Sequence, residues 1–154
     1  MSDDETAPVD VDWVVDELDG GRELADVIDV SEGAIGRLER AAGQLFDEGR
    51  YQEAITILRG VTALDRGRYY PQLLIGKYEV ARGSEERGIE ALITAKELGP
   101  DDAPELTFEL GRAPLSAGET EAGIAQLEET VERAGSDDPE GYGSRAEELL
   151  SELT

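Results

Sequence analysis

Residues 41–76 read AAGQLFDEGRYQEAITILRGVTALDRGRYYPQLLIG. Ala42, Gly49, Ala54 and Gly76 are small, and apolar residues stand between them at helical spacing. Leu45 and Phe46 end one apolar stripe; Tyr51, Ala54, Ile55, Leu58, Val61 and Leu64 form the next, with Gly49-Arg50 between. Steps of three and four mark one buried face per helix, and glycine is the residue that closes a helix. The stretch therefore predicts a helix, a tight turn, a second helix, and the start of the same unit again.

The unit recurs. Gly49 and Gly83 are 34 residues apart, and Gly83 and Gly118 are 35 apart. A 34-residue period of two antiparallel helices is the tetratricopeptide spacing. Seven residues before each turn glycine stands Ala42, Gly76 or Gly111, where the first helix of a pair closely approaches the second. After the turns come Ala54-Ile55, Gly88-Ile89 and Gly123-Ile124, then Leu58, Leu92 and Leu127. Gly88 and Gly123 stand where alanine is usual, at a cost of about 1 kcal/mol each in helix propensity. The predicted fold is all-α: a tetratricopeptide-like right-handed superhelix of three helix pairs with helical caps at both ends, as such stacks require.

The divisions follow. Residues 1–10 are acidic and are expected to be disordered. Residues 11–30 form an N-terminal helical segment, with helices over 11–18 and 22–29 separated by Gly20-Gly21. Residues 31–135 carry the three repeats, opening on Ser31 as an N-cap, with helices at 32–48, 51–64, 69–82, 85–98, 103–117 and 120–134. Pro114 is expected to kink or split its helix. Residues 136–154 form a C-terminal capping helix over about 139–153.

Composition bounds the chemistry. The 154 residues carry a net charge of -23, with 39% hydrophobic residues, 5% aromatic and 33% charged. Such a charge opposes nucleic-acid and anionic-membrane partners, which are held by Lys and Arg. A salt-adapted proteome is the plainer account of it. With no Cys and no His, disulfides, thiolate nucleophiles, His-based acid–base catalysis and Cys/His zinc sites are all removed. The acidic run Asp10–Asp19 fails the calcium-loop spacing, because Val14 stands at the fifth position and no Glu closes the loop. No signal peptide or membrane span is read from the sequence. The expectation is a protein-binding scaffold with no enzyme activity, metal or cofactor.

In a stack of this kind the first helices of the pairs line a concave groove. By phase, the groove candidates are Glu39, Gly43 and Phe46; Tyr70, Leu73 and Lys77; and Glu105, Phe108, Arg112 and Leu115. Phe46, Tyr70 and Phe108 are the aromatic anchors for a partner's side chains, with plain core packing as the alternative for each. Lys77 and Arg112 are placed to orient carbonyls of a bound strand. Tyr51 stands where the repeat packs its second helix on its first, a structural role. The sole Trp, Trp13, lies outside the repeats with Val14 and Leu18; packing on the first repeat and self-association are equally good readings.

Residues 20–65, GGRELADVIDVSEGAIGRLERAAGQLFDEGRYQEAITILRGVTALD, together with three repeats and a final helix, resemble the class II type III secretion chaperones of the SycD/LcrH type. These translocator chaperones have a short helical segment after a Gly-Gly pair, a Ser-led helix before the first repeat, and a turn like Gly49-Arg50-Tyr51-Gln52-Glu53-Ala54. The resemblance covers roughly residues 20–153. It implies a cytoplasmic protein that holds a hydrophobic secretion substrate before export, through a short extended segment, often P-x-L-x-x-P, in the groove. Family groove residues match Phe46 and Leu73; where a further aromatic is common, this chain has Glu39. The family often dimerises through its N-terminal helices, which gives Trp13, Val14 and Leu18 a role in a homodimer. The other reading of the same fold is a generic tetratricopeptide adaptor that joins folded partners in another complex.

Overall fold

A computed structural model describes residues 10–27, 32–101, 103–134 and 138–153. Among them run nine helices: α1 (Val11–Asp19), α2 (Leu24–Val27), α3 (Glu32–Asp47), α4 (Tyr51–Leu64), α5 (Tyr69–Ala81), α6 (Glu85–Leu98), α7 (Pro104–Ser116), α8 (Thr120–Ala134) and α9 (Tyr142–Glu152). The pairs α3/α4, α5/α6 and α7/α8 are the three hairpins, and each packs on the next. Helices α1 and α2 pack on α4, and α9 packs on α8 and α7. The Ser31 cap lies outside the described residues, as does the end of the predicted 22–29 helix.

The hairpin turns close in one way. Gly49, Gly83 and Gly118 have φ of 81°, 95° and 85°, a left-handed conformation that glycine adopts without steric cost. In the first turn, Gly49 donates to the Phe46 carbonyl and Arg50 to Leu45, at 2.9 and 2.8 Å. The same two bonds recur from Gly83 and Ser84, and from Gly118 and Glu119. This is the Schellman closure, which satisfies the last carbonyls of a helix with backbone alone.

Within a hairpin the small residues meet. Repeat one uses Ala42 and Ala54, both fully buried. Repeats two and three use Gly76 with Gly88 and Gly111 with Gly123. A Cβ on Gly76 would lie 2.8 Å from the Gly88 carbonyl, and one on Gly123 would lie 2.8 Å from that of Gly111. Gly88 and Gly123 thus let two backbones touch, and an alanine has no room there.

Helix α7 runs unbroken through Pro114, so the expected split does not occur. The proline sits in the last turn and removes the N–H that would have bonded the Leu110 carbonyl. Its own carbonyl takes the N–H groups of Ala117 and Glu119, at 3.0 and 2.8 Å, and so takes part in the closure.

The N-terminal segment is docked by its apolar side. Val14 and Val15 are buried, and Leu18 packs beside Gly60 of α4. Arg50 ties α1 to the first turn through Asp12 and Glu53. Val14 is therefore core, not a dimerisation residue as expected, and Leu18 faces inward as well. Trp13, 45% exposed, is the member of that trio that points to solvent.

Candidate functional site

Successive first helices of the hairpins are linked side to side. Arg68, just before α5, donates to both carboxylate oxygens of Glu39 on α3, at 2.9 and 2.8 Å. The Phe46 ring stacks on Tyr78 of α5, centroids 4.2 Å apart, and lies 5.0 Å from Tyr51. Lys77 of α5 approaches Glu105 of α7 at 3.8 Å. Phe108 of α7 meets Tyr142 of α9 at 5.6 Å.

These links divide the groove candidates by repeat position. Ten residues before the turn glycines stand Glu39, Leu73 and Phe108, at 7%, 1% and 2% exposure. That position turns into the seam between neighbouring first helices. Phe108 packs with Leu127 and Ala146, and the Arg145 guanidinium lies 4.6 Å over its ring. It is core, which corrects the reading of it as a groove anchor. Glu39 is likewise engaged by Arg68 within the seam, and is no free groove carboxylate.

Six residues before the turns stand Gly43, Lys77 and Arg112; thirteen before stand Gly36, Tyr70 and Glu105; three before stand Phe46, Val80 and Leu115. All nine are half-buried; Val80 and Leu115 lean on Gly88 and Gly123 of their own second helices, so the accessible strip is carried by the other two registers together with Phe46. Arg112 is held at 2.7 Å by the buried carboxylate of Glu109 on its own helix. Gly43 leaves an opening into which the Tyr78 hydroxyl fits, 3.7 Å from where a Cβ would stand. Tyr78 escaped the sequence reading because Gln44 and Ala113 occupy its position in the other repeats; the missing side chain at Gly43 was the available signal.

The strip widens into a cleft of about 470 Å³ at the starts of α5, α7 and α9. Tyr69, Tyr70, Ala103, Pro104, Glu105, Pro139, Glu140 and Tyr142 wall it, and Leu73 contributes although nearly inaccessible. Asp138, also in the wall, accepts the N–H groups of Tyr142 and Gly143 at 2.9 Å each, and so caps α9. Burial pushes the Glu105 carboxyl above its ordinary value, offset only in part by Lys77. The phenols of Tyr69, Tyr70 and Tyr142 are raised by the same burial and by the Glu105 charge. Tyr142 and Glu140 were missed because they lie beyond the last repeat, where its phase no longer places a residue.

No protein-family model and no curated protein matches the chain. Solved structures do. The chain is similar to the type III secretion translocator chaperone SycD of Yersinia enterocolitica, at 18% identity over 85% of this chain and 98% of that one, with TM-score 0.74. It is similar to PcrH from Pseudomonas aeruginosa, at 18% identity over 84% and 98%, with TM-score 0.75. A third structure holds SycD in complex with a peptide of the translocator YopD, at 19% identity over 82% and 96%, with TM-score 0.71. The likeness is one of fold: an all-α, tetratricopeptide-like stack with helical caps, shared over most of each chain.

Proposed function

We propose that the chain is a type III secretion chaperone that works in the bacterial cytoplasm, binding an extended apolar segment of a translocator along its first-helix face. The observation that carries this reading is the half-buried strip running from Phe46 through Tyr70, Lys77 and Glu105 to Arg112. Strand-like occupation of that strip removes apolar area from water at about 25 cal/mol per Å². The client then stays soluble and unassembled until export. Support also comes from a fold shared with chaperones, one of them solved with a translocator peptide. The mechanism is binding alone. Self-association is assigned to the solvent face of α1 that carries Trp13.

Co-expression with a translocator-type protein encoded beside this chain tests the reading. A stable complex on size exclusion is expected, and its loss when Tyr70→Ala is combined with Lys77→Glu in a chain that still folds. Absence of a complex with the wild type sinks the reading. Undiminished binding by the folded double variant moves the client to another face.

A further inference from the structure

The cleft between α5, α7 and α9 is unlike the rest of the strip. Its walls pair aromatic rings with carboxylates. Tyr69 and Tyr70 stand edge to face, centroids 6.3 Å apart, and Tyr142 closes the other side. Of its acidic groups, Asp138 is committed to capping α9. Glu140 is exposed at the rim. Glu105 faces the cavity half-buried; the Tyr142 hydroxyl bonds to it, and its nearest cation, Lys77, stops at 3.8 Å, too far for a hydrogen bond. A carboxylate kept from water beside electron-rich rings suits a cation more than an apolar side chain. The chain uses this chemistry next to the cleft: the Arg145 guanidinium lies 5.1 Å over the Tyr142 ring.

We infer that this cleft takes a lysine or arginine side chain of the bound segment, seated among Tyr70, Tyr142 and the Glu105 carboxylate, while apolar side chains occupy the strip toward Phe46. The inference rests on the groove reading above and adds a specificity determinant to it. The cation of the client replaces the loose approach of Lys77 with a direct charge-assisted hydrogen bond to Glu105. A client carrying an acidic side chain at that register meets Glu105 and Glu140 and is rejected.

Randomised dodecapeptides displayed on phage supply the probe, selected in 0.5 M salt to suppress the general field of so acidic a chain. Wild type, Glu105→Gln and Glu128→Gln are compared, the last removing an exposed charge on α8. Wild type and Glu128→Gln are expected to enrich Lys or Arg at one fixed distance from an apolar pair, about tenfold over the unselected library. Glu105→Gln is expected to select peptides with the apolar pair but without that enrichment. Selection of apolar peptides with no basic position by wild type overturns this inference and leaves the groove reading standing. Enrichment that survives Glu105→Gln, or falls equally in Glu128→Gln, also overturns it. Failure of the wild type to select any peptide removes the groove reading and this one with it.

Discussion

Gly76 and Gly88 touch backbone to backbone across the second hairpin: a carbon added to Gly76 would come within 2.8 Å of the Gly88 carbonyl oxygen. Propensity alone ranks alanine about 1 kcal/mol above glycine in a helix. Packing decides otherwise, since overfilling a tight contact costs about 1–3 kcal/mol and the obstacle is backbone. Gly88→Ala and Gly123→Ala are each expected to lower Tm by several degrees, at about 2–4 °C per kcal/mol for a chain of this size. A rise in Tm on thermal unfolding sinks the close-approach argument.

Phe46 and Phe108 are expected to part in their behaviour. Phe108→Ala empties a buried site beneath α9 and should cost about 3–5 kcal/mol, with faster amide exchange along α9. Phe46→Ala leaves a half-buried position and should cost less, while weakening client binding. Equal losses of stability from the two, measured in urea, contradict the division by repeat position.

The Arg68–Glu39 pair predicts a thermodynamic cycle. Arg68→Ala leaves the Glu39 charge buried and alone, at a cost of about 3–5 kcal/mol. Glu39→Leu, which gives repeat one the residue that repeat two has at Leu73, should recover part of that loss in the double variant. Strict additivity of the two changes is the opposing outcome.

These three predictions separate what was legible in the sequence from what was not. Helix limits came within a few residues because turn glycines and prolines act locally: α4 and α6 span 51–64 and 85–98 as read. Facing was harder. Glu39, Leu73 and Phe108 share one register, and that register turns toward the next element of the stack, α9 in the case of Phe108, instead of the solvent. Such a rotation depends on how two helices pack, which no residue of either helix encodes by itself. Pro114 is a related case: α7 runs through it and its carbonyl serves the turn closure, which the residue type alone does not announce. The register of Lys77 and Arg112 is half-buried.

Glu105 gives a pH signature. Its carboxyl is raised by burial, with Glu109 and Glu140 adding to the shift and Lys77 and Tyr142 opposing it. A carboxyl raised in the folded state binds its proton more tightly there than in the unfolded chain. Its ionisation therefore destabilises the fold above the folded value, and the penalty fades as pH falls through that value. Glu105→Gln should be the more stable protein at neutral pH, with the advantage over wild type shrinking on acidification. An advantage that grows as pH falls reverses the sign and refutes the assignment.

Trp13 is expected to matter for assembly and little for folding. Trp13→Ala should leave Tm nearly unchanged, whereas Val14→Asp places a charge in the core and should release α1. Sedimentation of Trp13→Ala as a smaller species than wild type supports the α1 face as the contact. Identical sedimentation of the two removes that role.

The backbone closure of the turns has a practical consequence. Ser84 and Glu119 follow their glycines in the same geometry, and each contributes only its amide to that closure. Their side chains can be exchanged for spectroscopic labels without altering how either hairpin ends. A pair of probes at these two places forms a ruler along the array, reporting in real time whether the stack flexes when a peptide is added.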